Sequence, residues 1–208
     1  MHAMEGLLAV QSGTKPAMPG KIKLVFKKTA AMSARFILCG LILLSGFRGP
    51  AQDAAPTEYQ IKAAFLYNFA KFVEWPAEAF ATPTSPIVIG VLGDNVVFGD
   101  DLEQAINHKI LNNRPLQFKK CDSVMAATNC HILFISASEK AGFPKILEGL
   151  RGSNVLTVSE TGQFIEAGGM INFVIEENKI RFQINDEAAK KAGLKISSKL
   201  LRLAIHPP

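Results

Sequence analysis

The sequence predicts an α/β fold: a single domain with a mainly parallel central sheet flanked by helices and an antiparallel hairpin at its C-terminal end. Three observations predict it. Short apolar, β-branched runs at 87–92, 131–136 and 154–158 alternate with segments of helical period, which is the pattern of strands buried on both faces and joined by helical crossovers. Two further alternating segments, 170–175 and 179–184, flank Glu176, Glu177 and Asn178, a short polar turn of the kind that closes a hairpin. The residues after position 51 number about 157, enough to bury near 70% of the unfolded surface in one core.

Residues 1–51 stand apart. They hold seven of the 23 basic residues and one of the 18 acidic ones, so 52–208 carry 16 basic and 17 acidic side chains. The net charge of +5 therefore belongs to the first segment, and it is no nucleic-acid footprint. Residues 36–47 form an apolar run behind Lys27, Lys28 and Arg35, with Gly49, Pro50 and Ala51 after it. A basic flank, a short apolar stretch and small residues make the anatomy of a secretory signal, too short for the roughly 20 residues of a membrane span. The expectation is export with removal near Ala51, and an uncleaved membrane anchor is the alternative. Met32 would begin a signal of ordinary length, so the start codon stays open.

Each later element has its own justification. From Thr57, which can cap a helix, residues 58–72 place Ile61, Phe65, Phe69 and Phe72 on one stripe, and Pro76 marks the end. The strand 87–92 ends in Gly93-Asp94 and leads to a helix expected over 100–110. Residues 116–121 alternate as a strand, 131–136 read as a buried one, and 139–150 form a helix with Pro144 in its first turns. Asn185 or Asp186 caps a helix that Gly193 ends, and 197–203 is a closing amphipathic segment.

Removal of the leader takes Cys39 with it and leaves Cys121 and Cys130. An even count in an exported chain predicts a disulfide between them, worth roughly 2–3 kcal/mol for so short a loop; two buried free thiols are the alternative. A metal site is not expected, because His131 is the one soft ligand near the pair. Enzyme chemistry has no motif: Gly90 to Asp94 lacks the spacing and lysine of a phosphate loop, and no histidine is linked to a nucleophile. No catalytic residue and no cofactor are expected.

The remaining feature is aromatic. Phe65, Tyr67, Phe69, Phe72 and Trp75 cannot all face one side of a helix that turns about 100° per residue. Most belong to a core. Tyr67 and Trp75, with Lys62, Asn68 and Lys71 beside them, are candidates to line a ligand pocket or partner surface. Arg181 lies outside the apolar set of its strand, either exposed to solvent or available to an anionic group.

Residues 62–76, KAAFLYNFAKFVEWP, resemble the opening helix of the YfiR-like family, and GMINF at 169–173, IRFQIN at 180–185 and AAKKAGLKISSKLL at 188–201 are similar to its closing hairpin and helix. The resemblance covers about 56–204. It implies a small periplasmic α/β regulator without catalysis, whose best understood relative represses an inner-membrane diguanylate cyclase by binding its periplasmic portion. An outer-membrane lipoprotein sequesters that relative, which dimerises and depends on disulfide status. Here Cys121 and Cys130 allow one bridge. The implied function is an exported regulatory binding protein acting on a diguanylate cyclase or sensor kinase; a periplasmic small-molecule sensor or carrier is the alternative.

Overall fold

The computed structural model describes residues 55–205; the expected leader and His206 lie outside them. Its first helix, α1 (Glu58–Phe72), opens with a capping box in which the Thr57 hydroxyl accepts from Gln60 N and the Gln60 side chain accepts from Thr57 N. Two otherwise orphaned donors are satisfied there. The helix stops earlier than Pro76 suggests. Val73 is extended and opens β1 (Val73–Glu74), which pairs antiparallel with β9 (Lys195–Ile196), and Phe72 O accepts from Ser197 N at 2.9 Å. A distant strand, rather than the proline, ends the helix.

The main sheet has seven strands in the order β3-β4-β2-β5-β6-β7-β8. They are β2 (Ile87–Leu92), β3 (Ile110–Leu111), β4 (Arg114–Cys121), β5 (Ile132–Ile135), β6 (Leu156–Ser159), β7 (Ile171–Glu176) and β8 (Lys179–Ile184). The run β4-β2-β5-β6-β7 is parallel; β3 and β8 are antiparallel edges. The expected class and the C-terminal hairpin are both present. The hairpin turn is Glu177-Asn178, with φ of 48° and 62°, the positive pair that a two-residue turn matched to strand twist requires. Asn112 and Asn113 repeat the device between β3 and β4.

Between the strands lie α2 (Val96–Ile106), α3 (Val124–Ala127), α4 (Phe143–Gly149), α5 (Asp186–Lys191) and α6 (Ser198–Leu201). The helix expected over 100–110 begins at Val96, because Asn95 caps it by accepting from Phe98 N. The one expected over 139–150 is split: 137–142 is a tight 3-10 turn, and α4 starts with Pro144 near its head, where the missing N–H costs nothing. Gly193, at φ 75°, ends α5 as expected, and Leu194 N returns to Ala189 O at 3.0 Å.

Strand alternation sends side chains to two cores. Ile89, Val91, Phe134, Val158, Phe173 and Phe182 face α1 and α2, and Leu92, Leu133, Ile135, Ile146 and Phe164 make up the other. The apolar stripe of α1 is wider than its aromatic spacing suggests. Ala63, Leu66, Phe69 and Ala70 are the buried positions, with Phe65 and Phe72 at its margins.

Candidate functional site

Parallel strands aim their C-terminal ends at one edge, where α/β proteins assemble sites from the following loops. After β2 the chain goes to β4 on one side and then to β5 on the other, so this edge has its switch point beside Gly93 and Ser136. That crevice is closed by hydrogen bonds. Asp94 N donates to Ser138 Oγ at 3.0 Å, and Gly93 has φ 95° in a place where a Cβ would lie 2.6 Å from Ser138 Oγ. The opening is displaced toward β6 and β7.

There a cleft of about 400 Å3 is lined by Glu58, Tyr59, Lys62, Glu160, Phe173 and Ile175, among others. Lys62 is its centre. The side chain is 4% exposed, and its ammonium bridges the carboxylates of Glu58, one turn earlier, and Glu160, just past β6. Burial pulls the Lys62 pKa down, but the hydrogen bonds and charges of Glu160 and Glu58 outweigh it and hold the pKa above its ordinary value. Its ammonium also lies 5.2 Å from the Tyr59 ring centre, and that ring packs on Phe98 at 5.4 Å. The arrangement can fix charge in a half-open, aromatic-walled space. A second cleft, of about 890 Å3, runs between α4 and α5 past Arg151, Thr157, Met170 and Asn185.

Of the sequence candidates, only Lys62 lines either of these two clefts. Tyr67 is half-buried and carries two cations on its ring, Lys109 at 4.3 Å and the exposed Lys71 at 5.5 Å. Asn68 is half-buried, and Arg181 is exposed on the edge strand opposite Val174. Trp75 is a strut. Its indole N–H donates to the carbonyls of His131 and Asn154, at 3.2 and 3.0 Å, tying the segment after α1 to the entries of β5 and β6. The six candidates therefore do not form one site. Sequence reasoning missed Glu58, Tyr59 and Glu160. The Glu58–Lys62 spacing of one helical turn was legible, whereas Glu160 is 98 positions from Lys62.

His131 packs against Trp75 and Phe80, stacked on Phe80 with centroids 4.5 Å apart, and the Arg114 guanidinium lies over the Phe80 ring at 3.6 Å. Its Nδ1 accepts from Val88 N at 3.1 Å, so the ring is neutral with its proton on Nε2, which donates to Ala79 O at 3.2 Å. Burial pushes its pKa below the ordinary value, the Ala79 hydrogen bond opposes this, and Arg114 adds to it. The unfolded chain then takes up the proton first. Stability is whole above about pH 6.5 and falls as pH drops below it, by up to about 1.4 kcal/mol per pH unit for one proton. Thermal unfolding followed by fluorescence of Trp75, the only tryptophan, should show the midpoint falling between pH 6.5 and 5, with the slope reduced in His131→Gln; equal slopes in the two proteins would refute the assignment.

Cys121 ends β4 and Cys130 precedes β5, on either side of Gly90 in β2. Both are buried, as free thiols with Sγ atoms 3.6 Å apart. Gly90 makes the room: a Cβ there would lie 2.6 Å from Cys130 Sγ and 3.1 Å from Cys121 Sγ. The contact between the sulfurs raises the Cys130 pKa and lowers that of Cys121, making Cys121 the readier thiolate.

Among the described residues no helix is long and apolar enough to cross a membrane. The profile of the YfiR/HmsC-like family matches residues 59–205. A conserved domain protein from Vibrio cholerae shares the fold at 10% identity, with a TM-score of 0.54 over 72% of this chain and 60% of that one. An ABC domain from Streptococcus pneumonia, solved in complex with L-Trp, aligns at 14% identity and a TM-score of 0.44 over 57% of this chain. The chain spans 60% and 54% of the lengths of those two structures.

Proposed function

This chain belongs to the YfiR/HmsC-like family, and on that premise we propose that it is an exported regulatory protein that binds the periplasmic portion of an inner-membrane signalling protein, a diguanylate cyclase or a sensor kinase. The observation that carries the reading is the extent of the family match, which takes in α1, the sheet, the closing hairpin and α6. A regulator of this kind works by binding one state of its partner more tightly than another. A tenfold bias needs only about 1.4 kcal/mol of differential affinity. No bond in a substrate is made or broken.

The leader of 1–51 is removed on export, and the mature chain begins near Gln52. In the oxidising periplasm Cys121 and Cys130 close into a disulfide, which their contact and the space left by Gly90 favour. The protein pairs with a second copy, and an outer-membrane lipoprotein competes for it. A deletion strain should show a changed cyclic di-GMP level, and crosslinking in intact cells should recover an inner-membrane cyclase or kinase. Unchanged cyclic di-GMP together with no membrane partner would sink the reading.

A further inference from the structure

We propose that the cleft around Lys62 binds a small organic monocation, an ammonium or guanidinium carried on an apolar body. The inference goes beyond the regulatory reading and does not depend on it. Its first support is size and position: about 400 Å3, within the several-hundred Å3 range of small-molecule pockets, at the C-terminal edge of the parallel strands.

The second support is charge. One ammonium faces two carboxylates, leaving a surplus of one negative charge. Lys62 engages Oε1 of Glu58 and Oε2 of Glu160, and among the described residues no hydrogen bond reaches the other oxygen of either side chain. Glu58 is 47% exposed and Glu160 14%. Both carboxylates are thus held by a buried lysine while each keeps an acceptor for a second cation. A surplus charge in so confined a place attracts a counterion more strongly than one on an open surface.

The third support is the wall. Tyr59, Phe173, Val174 and Ile175 line the same space. The Tyr59 ring is braced by Phe98, and aromatic faces attract cations. Ile175 is 63% exposed although it lies on a strand, an apolar side chain at the rim that the described residues leave largely uncovered. A ligand with a cationic head and an apolar body satisfies both features together. An anion would gain only the remaining donor of Lys62 and would be repelled by both glutamates.

Three probes with one body and three charges decide the matter: phenethylammonium, 2-phenylethanol and phenylacetate, titrated into the purified protein and followed by amide NMR shifts. Phenethylammonium should bind at least about tenfold tighter than the neutral alcohol, equivalent to about 1.4 kcal/mol, and phenylacetate more weakly than either. The shifts should centre on Glu58, Lys62, Glu160 and 173–175, and the preference should shrink in Glu160→Gln. Should that variant fail to fold, Glu58→Gln, altered on a half-exposed first turn, gives the answer. Equal affinity for the ammonium and the alcohol, tighter binding of phenylacetate, shifts centred elsewhere, or an unchanged preference in Glu58→Gln would overturn the proposal.

Discussion

Lys62→Ala should lower the free energy of unfolding by about 3–5 kcal/mol, the usual cost of removing one member of a buried ion pair. The reason lies mainly in what is left behind. Glu160, 14% exposed, loses its counter-charge without regaining full hydration, while Glu58, 47% exposed, turns to solvent at little cost. Chemical denaturation at neutral pH checks this. A group whose pKa is raised by folding contributes fully below its unfolded value, near 10.4, and loses that contribution only as pH rises through the raised one. A double variant, Lys62→Met with Glu160→Leu, should recover most of the loss, because apolar replacement of a whole buried pair is often neutral. A loss below about 1 kcal/mol in the single variant would show that water entering the cleft already hydrates Glu160.

Phe69→Ala should cost a similar amount, about 3–5 kcal/mol, for a different reason. Phe69 is fully buried and stacks on Phe173 at 5.8 Å, meets the edge of Phe182 at 5.2 Å, and lies 6.1 Å from Phe65 along the helix. Truncation removes the transfer free energy of a ring and leaves a cavity between α1 and the hairpin, which the rigid sheet cannot collapse to fill. Against a typical domain stability of 5–15 kcal/mol, the variant should unfold at a much lower denaturant midpoint with nearly the same slope. Phe72→Ala, at the half-buried margin of the same stripe, should cost clearly less. Equal losses at the two positions would mean that the burial order along α1 is wrong.

The contrast between these two residues shows how far the sequence could be read. Phe69 was legible, since an aromatic at helical spacing within an apolar stripe has few places to go but a core. Lys62 was recognised as a candidate, but on the supposition that it accompanied Tyr67 and Trp75. Its two carboxylates send it to another place. Glu58 lies within reach on the same helix, and Glu160 is delivered by the end of β6, which neighbours β5 and β7. Trp75, the most conspicuous recognition residue by type, satisfies its single donor on two backbone carbonyls 56 and 79 positions away. No local pattern names those acceptors, so the sequence offered Trp75 only as a candidate for a pocket or partner surface.

The sequence by itself determined the alternation of strands and helices, the capping at Thr57, the hairpin with a short polar turn within 176–178, the end of α5 at Gly193 and the family to which the chain belongs. These follow from interactions within a few residues, where side-chain type and spacing dictate the backbone. Only the tertiary structure decided that α1 stops at Phe72, that Gly90 leaves the room in which Cys121 and Cys130 meet, and that Lys62 and Glu160 share one cleft. Each of those depends on strand order and register, which bring together groups far apart in the chain; burial then makes an unpaired charge or donor too costly to leave, and the partner within reach becomes the one that is used.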